Sequence, residues 1–321
     1  MEPTPAPVSL LAAVDALRRG ECIGLPTETV YGLAADARNP LAVARIFALK
    51  RRPASHPLIV HVPRKARLAD YTPEVPDHAR ALARAFWPGP LTLILRRAAW
   101  VPDVVTGGQD TVGLRMPAHP VAQQVLEAFG GPLAAPSANR FGRISPTCAA
   151  HVRAEFGADV PVVLDGGDCP VGIESTIVDL SGPRPRILRP GMIGRQAIEA
   201  VIGPLAEADD GPAPRVAGSL DKHYAPSAPL RIVPRAELLA GGPARVLALD
   251  TLPAGCAGLA LPAEPRAYAH GLYAALRALD GEDGCEIRVE QLPEGADWEA
   301  PRDRLRRAAA GSGSRFAHRP A

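Results

Sequence analysis

The chain lacks most of the features that usually advertise a function. Its five cysteines, Cys22, Cys148, Cys169, Cys256 and Cys285, are scattered with no C-x-x-C pair. An odd, unpatterned set argues against a disulfide framework and against a structural zinc site. Aromatic residues are 4% of the chain, which leaves few platforms for stacking bases. The net charge of +2 is too small to point to a nucleic-acid or membrane partner by itself. No apolar run is long enough to span a bilayer, and Met1 to Gly20 lacks a basic leader and an unbroken apolar core. A reducing cytoplasm is the expected location. Nucleotide and catalytic signatures are missing as well. There is no G-x-x-x-x-G-K-[ST], no G-x-G-x-x-G after a strand, no H-E-x-x-H and no G-x-S-x-G.

What is present is a core, an alternation of elements, and a set of polar loops. Hydrophobic residues make up 47% of 321 and charged residues 22%, which fits a globular chain with two domains. Only three of the 36 basic residues are lysines, so any functional argument falls on particular arginines. The pattern predicts a helix from Ser9 to Arg19 and a strand Cys22–Leu25. It then predicts a helix Pro40–Leu49 capped by Asn39, a strand Leu58–Val62 and a helix Pro76–Phe86. Strands Leu91–Leu95 and Val112–Arg115 follow, then helix His119–Phe129, a helix opened by Ser145-Pro146, strands Val160–Leu164, Gly172–Leu180 and Arg186–Leu188, and a helix Gly194–Val201. Mixed strands and helices imply an α/β sheet domain over residues 1–202. Residues 203–229 read as a linker: Gly203 to Pro214 is rich in Gly, Pro, Ala and Asp, whereas Arg215 to Pro226 is too polar and aromatic for a passive spacer. Residues 230–310 read as a small Rossmann-like α/β domain, and Gly311 to Ala321 as a disordered tail.

Six segments carry the chemistry, five of them at strand ends. Pro26-Thr27-Glu28-Thr29-Val30-Tyr31-Gly32-Leu33 follows a short buried strand, where open α/β sheets bind ligands. Two threonines in a surface turn would explain that loop alone; similar loops downstream tip the balance. Lys50-Arg51-Arg52-Pro53 ends a helix, where cations either complement the helix dipole or grip a phosphate, and the residues leave both readings open. Arg115 ends a strand and is locked by Met116-Pro117, which suits bidentate capture of a carboxylate. Pro136-Ser137-Ala138-Asn139 gathers hydroxyl, amide and backbone donors in a tight turn. Glu174-Ser175-Thr176 and Arg189-Pro190-Gly191 add hydroxyls and another strand-end arginine. Hydroxyls and arginines without an obvious nucleophile suit the binding of two anionic ligands better than covalent catalysis.

Seven motifs in one order make the chain resemble the threonylcarbamoyl-AMP synthase family. They are Pro-Thr-Glu-Thr-Val-Tyr-Gly-Leu, Lys-Arg-Arg-Pro-x-x-x-Pro-Leu-Ile-Val-His, Trp-Pro-Gly-Pro-Leu-Thr, Gly-Leu-Arg-Met-Pro, Pro-Ser-Ala-Asn, Glu-Ser-Thr-Ile-Val-Asp and Arg-Pro-Gly. The resemblance covers about Val8 to Ile202. Lys222-His223-Tyr224-Ala225-Pro226, Gly271 to Arg277 and Arg302 to Ala308 resemble the longer, two-domain form. It implies a YrdC-like twisted mixed sheet with a concave basic face. The implied reaction joins L-threonine, bicarbonate (or CO2) and ATP into threonylcarbamoyl-adenylate and pyrophosphate. The product would feed the t6A modification of tRNAs reading ANN codons through a separate transferase complex, and direct RNA contact is expected to be weak. By matching position, Thr29, His61, Arg115, Ala135 and Ser175 look like the threonine site. Arg52, His56, Thr111, Ser137, Ser145, Arg189 and Tyr224 look like the ATP side, with Lys50 and Arg52 as the catalytic cations and Mg²⁺ carried on the phosphates. Because carbamates and mixed anhydrides need protection from water, the polar, aromatic composition of Arg215 to Pro226 makes it a candidate lid as well as a tether. Two departures bear on nucleotide contact: His56 stands where the family commonly has Asn, and Val216-Ala217-Gly218-Ser219 where Ser-Pro-Gly-Met is frequent. Two other readings remain. One is an RNA-binding or ribosome-maturation factor; the other is carbamoyl transfer of the hydrogenase-maturation kind, which needs acylphosphatase and zinc-finger modules not visible here.

Overall fold

The computed structural model describes residues 9–207, 213–218, 220–240, 243–281 and 283–313. The first helix, α1 (Leu10–Arg18), starts where expected because the Ser9 side chain accepts the Ala12 N–H. β1 (Ile23–Leu25) and β2 (Gly32–Asp36) form an antiparallel pair that encloses the Pro26 to Tyr31 loop. α2 (Pro40–Lys50) is capped by the Asn39 side chain, which accepts the Leu41 and Ala42 N–H groups. There follow β3 (Ile59–His61), α3 (Asp77–Phe86), β4 (Leu91–Arg96), α4 (Asp103–Thr106), β5 (Thr111–Arg115), α5 (Pro120–Phe129) and β6 (Leu133–Ala134). The first sheet is completed by α6 (Ala149–Phe156), β7 (Thr176–Asp179), β8 (Arg186–Arg189) and α7 (Arg195–Ile202). The second unit contains β9 (Leu230–Val233), β10 (Arg245–Leu249), β11 (Ala257–Leu261), α8 (Pro265–Leu279), β12 (Ile287–Glu290) and α9 (Glu299–Gly311).

The first sheet is eight-stranded and mixed, in the order β1-β2-β6-β3-β5-β4-β7-β8. The second is four-stranded and wholly parallel, β11-β10-β12-β9. This is the mixed α/β sheet plus small α/β unit expected from the alternation of elements. In the first sheet Leu33, Val60, Leu93 and Leu114 are fully buried, each contributing roughly 1.5–3 kcal/mol of hydrophobic free energy. Parallel pairing of β3 with β5 sets His61 opposite Arg115, so both side chains leave the sheet at one edge. Parallel pairing of β4 with β7 sets Leu91 opposite Thr176, and Thr92 and Ser175 then share a hydroxyl contact of 2.8 Å.

Several expected boundaries moved. Ser145-Pro146 opens no helix: α6 begins at Ala149, because the Ser145 hydroxyl donates to Glu174 at 2.6 Å instead of capping. Val160–Leu164 is extended beside β1 but makes a single bridge, Gly24 to Val163, and no ladder. Residues 172–175 form a loop, with β7 starting only at Thr176. The tail was placed too early. Gly311 ends α9, and the Ser312 hydroxyl oxygen accepts the Leu230 N–H at 2.9 Å, whereas residues 314–321, like 208–212 of the linker, lie outside the described residues. Among the described residues no helix is long and apolar enough to cross a membrane.

Candidate active site

One cleft collects most of the nominated side chains. Its floor comes from strand ends and their loops: Thr27, Thr29, Val30 and Gly32; Ile59 and His61; Arg115; Ala135, Pro136 and Ser137; Glu174 and Ser175; and Arg189. Arg52 walls one side, and Ala217, Gly218, His223 and Tyr224 of the linker form the roof. The backbone brings the loops together. Gly32 bridges Ser137, Leu33 N–H donates to Pro136 O at 2.8 Å, and Ala138 N–H donates to Tyr31 O at 2.8 Å. Only about 40 Å³ is open to the centre of a water molecule, room for a few waters and far less than a nucleotide needs.

At one end Arg115 is the hub. It lies 2.7 Å from Glu28 Oε1, donates to Thr29 Oγ1 at 2.8 Å and to Gly89 O at 3.3 Å, and is 4% exposed. The contact with Glu28 is close, but the N–H does not point along it. Both Glu28 Oε1 and the Arg115 terminal nitrogen are therefore left without a hydrogen bond. The other Glu28 oxygen accepts the Ala118 N–H at 3.0 Å. His61 stands beside Arg115, buried, with Nδ1 unpartnered; burial and then the neighbouring guanidinium push its pKa down to about 3. It is a neutral imidazole at any ordinary pH. Ser175 is held by Thr92 and by Arg189, which donates to Ser175 O at 2.9 and 3.0 Å.

At the other end the cations are held by backbone. α2 ends with Arg51 in the left-handed region (φ 51°), which turns Arg52 back towards the cleft. Arg52 donates to Pro57 O at 2.9 Å, its Nε has no partner, and burial lowers its pKa to about 10. Tyr224 is also in the left-handed region (φ 59°), an uncommon setting for an aromatic residue and one met at functional sites. Its buried hydroxyl has no partner, and neither does His223 Nδ1. Its ring is 4.1 Å from that of His223 and 5.6 Å from that of Tyr273. Buried polar atoms are nearly always hydrogen-bonded, so this many orphans around one cleft marks a site shaped for ligands.

Four nominated residues do not line the cleft. Lys50 is fully buried beneath it, and its ammonium donates to Ser137 O at 2.6 Å and to Asn139 O. The geometry makes it the anchor of the 136–139 turn rather than a group in contact with a phosphate, which corrects its expected catalytic contact. Ser145 is committed to Glu174. His56 packs edge-on against Phe141 at 5.3 Å. Thr111 lies under the linker, lining a small cavity with Gln109, Arg215 and Val216. Conversely, Glu174, Gly218 and His223 line the cleft, and Glu28 sits against Arg115 behind it, and none of the four is among the expected ligands. Glu28 and Glu174 were readable, each being a carboxylate next to a nominated hydroxyl in a chain that places arginines at strand ends. Gly218 was not, since what matters there is its approach to Tyr224.

Comparison with known proteins places the chain and its fold among relatives. Residues 15–191 match the family model described as "Telomere recombination", and residues 193–310 match "Threonylcarbamoyl-AMP synthase, C-terminal domain". A Bacillus subtilis threonylcarbamoyl-AMP synthase is 38% identical, with 93% of this chain and 92% of that protein aligned. A Pyrococcus abyssi threonylcarbamoyl-AMP synthase is 44% identical, with 69% of this chain and 66% of that one aligned, just under two thirds of its length. The crystal structure of P. abyssi Sua5 complexed with L-threonine superimposes with a TM-score of 0.86 at 36% identity, covering 95% of this chain and 96% of that one.

Proposed function

The chain belongs to the threonylcarbamoyl-AMP synthase family, and from that premise we propose how its cleft works. The reaction is the synthesis of L-threonylcarbamoyl-adenylate from L-threonine and ATP, for t6A modification of tRNA. The observation that carries the reading is one small cleft lined by strand-end hydroxyls, a neutral imidazole and three arginines, which we divide between two substrates. Thr29, His61, Arg115 and Ser175 go to threonine; Arg52, Ser137, Arg189 and Tyr224 go to ATP. An amino acid is a zwitterion, and Arg115 beside Glu28 offers it both opposite charges. Arg115 takes the α-carboxylate, and Glu28 draws the ammonium group. Neutral His61 and the hydroxyls of Thr29 and Ser175 read the threonine hydroxyl, and such a pocket rejects analogues that lack it. Ala135 packs against the same end.

The threonine ammonium gives up a proton to solvent, and the free amine adds to the CO2 carbon of bicarbonate with loss of water, giving a carbamate. A carbamate oxygen then attacks the α-phosphorus of ATP, and pyrophosphate leaves with the bonding electrons. No residue serves as nucleophile. Arg52 and Arg189 neutralise charge developing on the phosphates, Ser137 and Tyr224 orient the nucleotide, and Lys50 fixes the turn that carries Ser137. His56, Thr111 and Ser145 act from behind this layer. Mg²⁺ would travel with ATP; Glu174, the one carboxylate among the described cleft-lining residues, is engaged by Arg304, which would leave the phosphates to carry the ion. The linker residues Ala217, Gly218, His223 and Tyr224 roof a cleft too small for a nucleotide, which supports a lid that opens for substrate and closes to exclude water from the carbamate and the mixed anhydride. The product passes to a separate tRNA-modifying transferase in the cytoplasm.

The test is pyrophosphate release from ATP by the purified protein, with threonine and bicarbonate each omitted in turn. Release that needs both is the expected outcome. Release without threonine would reject the reading.

A further inference from the structure

The two-domain motifs at Gly271 to Arg277 and Arg302 to Ala308 have so far been given no role. α8 presents His270, Tyr273 and Arg277 at spacings of three and four, one face of a helix turned towards the first domain. His270 Nδ1 lies 2.9 Å from Cys169 O, and Arg277 donates to Ile144 O and, at 3.5 Å, to Ser145 O. Between them the Tyr273 hydroxyl donates to Glu174 Oε2 at 2.9 Å. From α9, Arg304 donates to the same Oε2 at 2.8 Å, to Glu174 O at 3.3 Å and to Pro190 O at 3.0 Å. Arg304 is 0% exposed, and its guanidinium lies 5.4 Å from the centre of the Tyr224 ring. The other carboxylate oxygen of Glu174 takes the Ser145 hydroxyl. Arg189, itself a cleft residue, holds the next carbonyl, that of Ser175.

Glu174 is thus a junction on which two helices of the second domain and two candidate substrate-side hydroxyl loops converge. Burial drives its pKa up, but Arg304, Arg189 and the hydrogen bonds of Ser145 and Arg304 outweigh this, and the carboxyl is held below its ordinary value. A charged junction of this kind is rigid only while all its donors are present.

Resting on the synthase reading, we propose that Tyr273 and Arg304 are positioning residues for the reaction, holding Glu174 and through it Ser145, Ser175 and the Tyr224 roof in working geometry. The second domain then completes the active site without touching either substrate.

The test uses the full chain. Tyr273→Phe removes one oxygen and keeps the ring beside Tyr224. Losing a hydrogen bond to a charged group should lower kcat by about tenfold or more, with KM for threonine within about twofold and the thermal midpoint little changed. Adding Ser145→Ala to Tyr273→Phe should cost less than Ser145→Ala costs alone, since both act through one carboxylate. Arg304→Lys should recover part of what Arg304→Ala loses. Wild-type kcat in Tyr273→Phe, or strictly additive losses with Ser145→Ala, would overturn the inference. Wild-type protein that releases no pyrophosphate with both substrates would instead overturn the synthase reading beneath it.

Discussion

The floor and the roof of the cleft are built by different rules. Floor residues sit at the ends of paired strands, where the β3–β5 register fixes His61 against Arg115 and the β4–β7 pairing fixes Thr92 against Ser175. The roof has no ladder. It is docked by the mutual hydrogen bonds of Gln109 and Arg215, by Ala225 N–H donating to Gly142 O, and by Arg307 donating to Leu220 O. It also carries the left-handed Tyr224 and a hydroxyl with no partner. The contrast teaches that the nominated recognition residues are held by the sheet, whereas the proposed lid has little regular structure to lose. Opening then breaks a handful of contacts instead of a sheet.

The comparison breaks most severely at the floor. Arg115→Ala removes the proposed carboxylate partner of threonine and strands Glu28 in a buried position. The expected loss is about 10³-fold in kcat/KM for threonine, with a visible drop in thermal midpoint. Kinetics at varied threonine check it, and a loss under tenfold would move the carboxylate site elsewhere.

At the roof the effect should be smaller and of another kind. His223→Ala with Tyr224→Ala is expected to cut turnover by about 10²-fold while threonine affinity, measured by calorimetry, stays close to wild type. Unchanged turnover would mean that the segment is a tether only. Gly218→Ala is a gentler probe. The glycine has φ +77°, and an added Cβ would sit 2.1 Å from the Tyr224 hydroxyl. A clash at the roof alone should raise KM for ATP by about tenfold and leave threonine binding intact. Equal effects on both substrates would show that roof and floor are not separable.

The sequence made the floor more legible than the roof, for physical reasons. Arg115 and Arg189 end short apolar runs, with proline one or two residues on, so the strand end and the arginine at it are both local information. Helices α1 and α2 start at Ser9 and Asn39, which cap as their chemistry predicts. β2 was missed because Gly32, Ala34 and Ala35 have low strand propensity, and its pairing with β1 is what holds it extended. The Lys50 role was hidden for a similar reason. A lysine after a helix reads as a phosphate ligand, but its acceptors, Ser137 O and Asn139 O, lie 87 and 89 residues away. Gly218 and the Glu174 junction depend on contacts across the two domains, which spacing along the chain does not encode.

The smallest predicted effect tests whether the floor is built neutral at His61. In the fold this imidazole has a pKa of about 3, set first by burial and then by Arg115, against about 6.5 in an unfolded chain. The folded pKa is the lower one, so the unfolded chain takes up the proton first. Its stabilising contribution is complete above about pH 6.5 and is lost as pH falls from there towards 3. At pH 5.5 the loss from this one group should be about 1 kcal/mol relative to pH 7.5. His223, whose pKa is also held well below the usual value by burial and nearby cations, adds in the same direction. Denaturant unfolding of wild type and His61→Gln at both pH values isolates the His61 share, because other titrating groups cancel in the difference. A wild-type loss larger than that of His61→Gln by about 1 kcal/mol is expected. Equal losses would mean that His61 reaches water in the native state. The floor would then breathe as the roof does, and the contrast between them would be one of degree.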